Sequence, residues 1–128
     1  MKVPTTLFVN NQGDEYTKYD ACHGGEGPFL LKDVIGKVKD KQYIKYLHDD
    51  ILPPGSSFGD HAHTSDEPVE EWYFCLAGEG VMTLDGKPHA MKAGDISACY
   101  ANGSHGLRNT GQEDMRILVI GITPVPDK

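Results

Sequence analysis

Two histidines separated by one residue, His61 and His63, are the side chains of this sequence best placed to do chemistry. Residues two apart in a β-strand point to the same face, so both imidazoles can reach one metal ion without bending the backbone. Glu71 and His105 offer a carboxylate and a third imidazole further along the chain. First-row transition metals favour such ligands, and the lack of cysteine among them argues against structural zinc. The four residues therefore predict one divalent metal site.

The metal itself is not specified by these four side chains. They suit Mn, Fe(II), Ni, Co or Zn, and the affinity order alone does not choose among these ions. Three imidazoles and one carboxylate leave positions open on an octahedral ion, as a catalytic site requires. We therefore expect the open positions to accept a small organic ligand or substrate.

Glycines lie before and after His61, His63 and Glu71 at characteristic sequence distances. The run from Gly55 to His63, followed by Glu71 and then Gly78, resembles the first motif of the cupin family. That motif reads Gly, five residues, His-x-His, a short gap, Glu, six residues and Gly. The gap after His63 is longer than is usual in the family. Glu67 fits the short gap, whereas Glu71 fits the step to Gly78, and we favour Glu71 because 72–76 reads as the strand that carries it.

A second run, from Gly94 through His105 to Asn109, resembles the second cupin motif. Tyr100 stands where that motif usually has Pro, and Asn102 stands where it has Gly. Asn tolerates a left-handed backbone, so the turn can survive. Tyr100 has no such reason to be there, which suggests a role near the pocket.

The resemblance covers roughly residues 43–122 and implies an all-β, double-stranded β-helix (jelly-roll) cupin barrel. We expect a single domain over 1–128, in which 1–42 form an N-terminal arm and strands and 43–122 form the barrel. Short apolar runs between Gly, Pro and Asp turns support this architecture. The strands are expected at about 29–35, 43–52, 57–63, 72–76, 81–84, 88–93, 96–100, 105–109 and 115–122, with a hairpin turn at Asp85-Gly86.

Strand alternation predicts which side chains line the pocket. If Glu71 and His105 point inward, so do the following alternate positions: Tyr73, Cys75, Leu107 and Asn109. Arg108 then points outward with the bulky side chains Trp72, Phe74 and Leu76, which need a cover. Glu67, Tyr73 and Tyr100 are candidate catalytic residues, and residues 66–70 are expected to form a loop at the mouth.

The other polar side chains have two interpretations. His23, His48 and His89 are expected on the surface. His48-Asp49-Asp50 is either an exposed strand face or a group that orients a ligand histidine, and Asp60 beside His61 raises the same question.

Composition excludes several classes of partner. The 128 residues suit one domain, and a net charge of −7 with a pI near 5.2 argues against nucleic acid or an anionic membrane as the main partner. No apolar stretch is long enough to span a membrane, and the N-terminus lacks the pattern of a signal peptide, so we expect a cytoplasmic protein. Apolar side chains at 7–9, 29–31, 72, 74 and 76 favour a homodimer.

The function classes implied by the resemblance remain several. A metal-dependent enzyme is favoured, with a dioxygenase slightly ahead of an isomerase or lyase because the metal carries oxygen chemistry without a separate base. A ligand-binding or sensor cupin without catalysis is the alternative. A scaffold in which the metal only tightens the barrel is a third interpretation.

Overall fold

A computed structural model describes residues 5–13, 15–62 and 70–123. These residues form ten strands and one short 3₁₀ turn, Cys22–Gly24. The described residues contain no helix long and apolar enough to cross a membrane. The strands, in chain order, are β1 (Thr17–Asp20), β2 (Pro28–Asp33), β3 (Ile44–Leu52), β4 (Ser57–Ala62), β5 (Glu70–Ala77), β6 (Glu79–Leu84), β7 (Lys87–Lys92), β8 (Ile96–Cys99), β9 (Ser104–Asn109) and β10 (Met115–Ile122).

The strands form two antiparallel sheets that enclose one core. The six-stranded sheet has the order β1-β2-β3-β10-β5-β8, and the four-stranded sheet has the order β4-β9-β6-β7. Buried apolar side chains from both sheets meet between them, and ring pairs such as Phe58 against Tyr73 join the two layers. The architecture is the predicted jelly-roll barrel.

The alternation predicted for β5 and β9 is confirmed. Glu71, Tyr73 and Cys75 are buried, whereas Trp72 and Phe74 are half-buried on the opposite face. On β9 the buried positions include His105, Leu107 and Asn109, and Arg108 is exposed. The period of two thus places the candidate ligands and the apolar core on the same inner surface.

Two turn predictions are also confirmed. Asp85 and Gly86 have φ of 49° and 79° and join β6 to β7, as a type I′ hairpin turn requires. Asn102 has φ of 70°, the left-handed conformation expected where the motif usually has Gly. At the mouth, Glu70 belongs to β5 rather than to a loop, and 63–69 lie outside the described residues.

The expectation of an exposed face around Asp49 is wrong. Asp49 is fully buried, and Arg116 donates to both of its carboxylate oxygens, at 3.0 and 2.7 Å. Asn11 from the N-terminal arm donates to the same carboxylate at 3.0 Å, and Lys32 donates to the backbone oxygen of Gly13 at 2.6 Å. The arm therefore covers the outer face of β2 and β3. It does so through contacts far apart in sequence, which strand periodicity does not reveal.

Candidate metal centre

Three of the four predicted ligands converge at one end of the barrel interior. His61 on β4 lies opposite His105 on β9 in the register of the four-stranded sheet. Glu71 reaches them from β5 in the other sheet. One ligand atom from each residue lies within 4.8 Å of the other two. The site therefore bridges the two layers at the point where they approach each other.

The separations between these atoms match those of neighbouring ligands on one ion. The His105 Nε2 atom lies 2.9 Å from Glu71 Oε1 and 3.2 Å from His61 Nε2. Ligands at right angles around a first-row ion, each about 2.1 Å from it, are about 3.0 Å apart. A single ring nitrogen carries at most one hydrogen, which it cannot donate fully to both neighbours. A metal ion would satisfy all three lone pairs at once, so the donor set fits a divalent ion.

The tautomer of His61 also suits a ligand. Its Nδ1 lies 3.0 Å from the backbone oxygen of Gly59, which can only accept a hydrogen bond. Burial lowers the pKa of His61, although the bond to Gly59 acts in the opposite direction. The neutral ring therefore carries its hydrogen on Nδ1 and presents the Nε2 lone pair towards His105. A ligand histidine is commonly oriented in this way by its second nitrogen.

Glu71 is oriented by Tyr46, a residue not predicted from the sequence. The Tyr46 hydroxyl donates to Glu71 Oε2, while Glu71 Oε1 faces His105. Gly121 on β10 pairs with both Tyr46 and Glu71, so the three residues form one row across the sheet. A Cβ on Gly121 would lie 2.4 Å from the Tyr46 ring, so only glycine lets the phenol cross β10. Alternation along β3, which places Tyr46 on the same face as His48 and Asp50, could have indicated that Tyr46 points towards the site.

The catalytic candidates differ in their positions. Tyr73 is buried, and its ring centroid lies 4.9 Å from that of His105. Burial raises the Tyr73 pKa, and Glu71 raises it further, so the phenol stays protonated. Tyr100 is 56% exposed and packs edge-on against Trp72, on the outward side of β5. Glu67, together with the ligand candidate His63, lies outside the described residues, and both assignments stay predictions.

His48 and Asp50 line the inner face of β3 beside the site, which corrects the expectation that His48 lies on the surface. His48 is half-buried and stacks on Tyr46 at 4.9 Å between ring centroids, and burial lowers its pKa. Asp50 is 3% exposed, and its Oδ1 has no hydrogen-bond partner within the described part of the chain. Burial, then the charges of Asp49 and Glu71, raise the Asp50 pKa to about 8. Asp50 is therefore a neutral acid at pH 7.

The remaining histidines and Asp60 are mostly exposed. His89 on β7 is on the surface, as predicted. His23 is also exposed, but its ring stacks on that of His61 with a centroid distance of 3.6 Å. Asp60 is exposed, and no bond from it to a ligand histidine occurs among the described residues. The contact of His23 depends on the path of the N-terminal segment, for which the sequence carries no local signal.

Comparison with known proteins agrees with this geometry. Residues 50–121, which contain the described ligands, match the Cupin_2 family, described as Cupin domain. The chain belongs to the cupin family. This cupin is 30% identical over 120 residues to the oxalate-binding protein of Thermotoga maritima, covering 94% of this chain and 97% of that protein. It is also 32% identical over 114 residues to an uncharacterized protein of Methanocaldococcus jannaschii, covering 84% and 86% of the two chains.

A solved structure extends the likeness of this cupin to three dimensions. The crystal structure of a predicted oxalate decarboxylase from Thermotoga maritima superposes with a TM-score of 0.80 at 29% identity. The match covers 91% of this chain and 99% of that chain. The similarity includes the N-terminal segment as well as the barrel core, since so little of either chain is left out.

Proposed function

We propose that this cupin binds a divalent transition metal ion through His61, Glu71 and His105, with His63 as a fourth ligand, and that the ion holds a small dicarboxylate such as oxalate. The observation that carries the proposal is the approach of His105 Nε2 to both Glu71 Oε1 and His61 Nε2, at 2.9 and 3.2 Å. Four protein ligands on an octahedral ion leave two positions. Oxalate can occupy both with one oxygen from each of its carboxylates.

Charge makes this binding depend on the metal. The chain has a net charge of −7, and the buried Glu71 carboxylate adds a negative charge to the interior. A dianion would be repelled by such a site unless a cation were present. The name of the Thermotoga maritima relative, an oxalate-binding protein, supports oxalate as the first ligand to examine.

Calorimetric titration of oxalate into the tag-free protein tests the proposal. We expect binding to the Mn(II)- or Co(II)-loaded protein and none after chelation. Glu71→Gln keeps the shape of the side chain but removes its charge, so it should lose metal and oxalate together. His89→Ala, which changes an exposed histidine outside the site, should bind both normally. Equal oxalate binding with and without metal would contradict the proposal.

Catalytic conversion of oxalate at the same site is the second candidate function. The protonated side chains that line the pocket favour it. Cleavage of oxalate to carbon dioxide and formate breaks the C–C bond and takes up one proton into the new C–H bond. Burial raises the pKa of both Asp50 and Tyr73 and so favours their protonated forms. Dioxygenase, isomerase or lyase chemistry on another small acid would use the same open positions. Assays for formate and carbon dioxide, with oxygen uptake in parallel, distinguish these reactions from binding alone.

We also propose a homodimer formed through the outer face of β5 and the edge strand β8. Leu76, Ile96 and Tyr100 on or beside these strands are 37%, 56% and 56% exposed. Apolar side chains of this size beside a sheet edge favour association. Light scattering after size-exclusion chromatography should give the mass of two chains. Ile96→Asp should lower the measured mass towards that of one chain. A one-chain mass for the unaltered protein would exclude the dimer.

A further inference from the structure

The turn that carries His23 is pressed closely against β4. The amide of Ser57 donates to the Glu26 oxygen at 2.8 Å, and the amide of Glu26 donates to the Ser57 hydroxyl at 2.9 Å. Glycines make this approach possible on both sides. A Cβ on Gly25 would lie 2.1 Å from the Ser57 oxygen, and one on Gly59 would lie 2.2 Å from the His23 oxygen. Any larger residue at either position would push the turn away from the strand.

The backbone of the turn is held in an uncommon conformation. Ala21 and His23 have φ of 51° and 52°, in the left-handed region that residues other than glycine rarely adopt. Such conformations persist where the surrounding contacts impose them, and they concentrate at functional sites. Here the result is that the His23 ring lies flat on the His61 ring, 3.6 Å away and tilted by only 16°.

His61 is thereby held on two sides. His23 covers one face of its ring, and the Gly59 oxygen fixes its Nδ1. Its Nε2 then points at His105 Nε2, 3.2 Å away. Among the described residues, His23 is not one of the group whose ligand atoms converge. The contact that the structure shows between His23 and the site is the stack of its ring on that of His61.

We propose that His23 is a positioning residue of the metal centre, which stacks on His61 and holds its Nε2 in the direction that binding requires. This inference rests on the proposed metal site and adds the 3₁₀ turn to it. A ligand that is held in place before the ion arrives loses less freedom on binding, so metal affinity should depend on the stack. The dependence should follow the flat ring and not its nitrogen atoms.

Co(II) titration followed by visible absorption tests the proposal on the tag-free full chain. His23→Asn removes the ring and keeps a residue that tolerates left-handed φ, so the variant should fold. We expect its Co(II) affinity to fall by roughly 10–100-fold, the range typical when a group that orients a ligand is lost. His23→Phe restores a flat ring without nitrogen, although Phe at this left-handed φ lowers stability, so circular dichroism first checks that the variant is folded. The folded variant should recover most of the lost affinity, with the Co(II) absorption bands unchanged. His89→Asn is the matched control and should bind as the unaltered protein does.

Gly25→Ala provides a second route that leaves His23 in place. The added methyl group displaces the turn from Ser57, so this change should weaken Co(II) binding in the same way as His23→Asn. The double variant that combines His23→Asn and Gly25→Ala should bind Co(II) no more weakly than the weaker-binding single variant, because both changes remove the same contact. Additive losses would overturn the proposal.

Other outcomes separate this inference from the proposed function. Failure of the folded His23→Phe variant to recover affinity would overturn the positioning role, and altered Co(II) bands in addition would make His23 a ligand. Unchanged affinity in His23→Asn would overturn it while leaving the metal site intact. Absence of Co(II) binding in the unaltered protein would overturn the proposed function and this inference together.

Discussion

The two ends of the barrel interior follow the same strand alternation and carry opposite chemistry. At one end Leu52 and Met115 are completely buried in the apolar core, and Ile117, which lies opposite Asp50 on β3, is buried as completely. At the other end the inward positions are polar, and Glu71 and His105 are nearly as inaccessible, at 6% and 1% exposure. Alternation therefore decides which side chains are inside. Residue type decides whether an end of the interior stabilises the fold through apolar packing or provides polar side chains for a binding site.

The energetic consequences of the two ends differ in sign. Burying apolar side chains stabilises the fold, whereas burying carboxylates and imidazoles without full compensation costs free energy. Asp50 illustrates this cost, because burial keeps it protonated at neutral pH. Burial of the apolar side chains thus offsets the free-energy cost of burying the polar ones. At the polar end, we expect a bound metal ion to supply the interactions that the buried ligand atoms lack.

Shortening a side chain at the apolar end should give the largest loss of stability. Ile117 is fully buried in the core cluster, so Ile117→Ala leaves a cavity. We expect the free energy of unfolding to fall by about 2–5 kcal/mol. Urea unfolding of the metal-free protein measures it, and Tyr43→Ala, at an exposed position outside the proposed dimer face, is the control. An equal effect at both positions would contradict the division between core and surface.

Two adjacent carboxylates on β3 should respond to pH in opposite directions. The pKa of Asp50 is raised from 3.8 to about 8, so its contribution to stability is present below pH 4 and is lost as the pH rises towards 8. The slope should reach at most about 1.4 kcal/mol per pH unit. Asp50→Asn removes this dependence on pH. The free energy of unfolding of the variant should therefore exceed that of the unaltered protein most at pH 8.

Asp49 is the matched comparison for Asp50. Its bonds to Arg116 lower its pKa, so its contribution is present at neutral pH and is lost on acidification. Asp49→Asn should therefore destabilise the protein most at neutral pH. Urea unfolding with a chelator present measures Asp50→Asn at pH 5, 6.5 and 8. Asp49→Asn is measured at pH 3 and pH 7, because the pKa of Asp49 lies below 3.8 and its contribution changes only in acid. Parallel curves for Asp50→Asn and the unaltered protein would refute the assignment of a neutral buried acid.

Removing the hydroxyl of Tyr46 should have a smaller effect that appears mainly in metal affinity. Tyr46→Phe keeps the ring over Gly121 but loses the bond to Glu71. We expect a loss of roughly 10-fold in affinity, the lower end of the range for groups that orient a ligand. Tyr43→Phe, at an exposed tyrosine, is the control for Co(II) titration. Unchanged affinity in Tyr46→Phe would show that Glu71 is oriented by other contacts.

The sequence predicted what depends on local periodicity. The resemblance to the cupin motifs implied the jelly-roll barrel and the ligand set. Alternation predicted which neighbours share the inner side with Glu71 and His105, and the residue type of Asn102 predicted a left-handed turn. The contacts of Tyr46 and His23 were missed because they depend on register and on where glycines allow close approach. Gly121 and Gly59 are informative only once their neighbours across the sheet are known. The cover over Asp49 was missed for a related reason, since Asn11 is 38 residues away in sequence.

The central claim is that Glu71 and the three histidines hold one divalent metal ion. The most direct measurement is the metal content of the tag-free protein after loading with Co(II) or Mn(II) and desalting, by mass spectrometry. We expect close to one ion per chain for the unaltered protein and for Glu67→Gln, and a large loss for Glu71→Gln and His105→Ala. Loss of the ion in Glu67→Gln, with retention in Glu71→Gln, would contradict this account of the site.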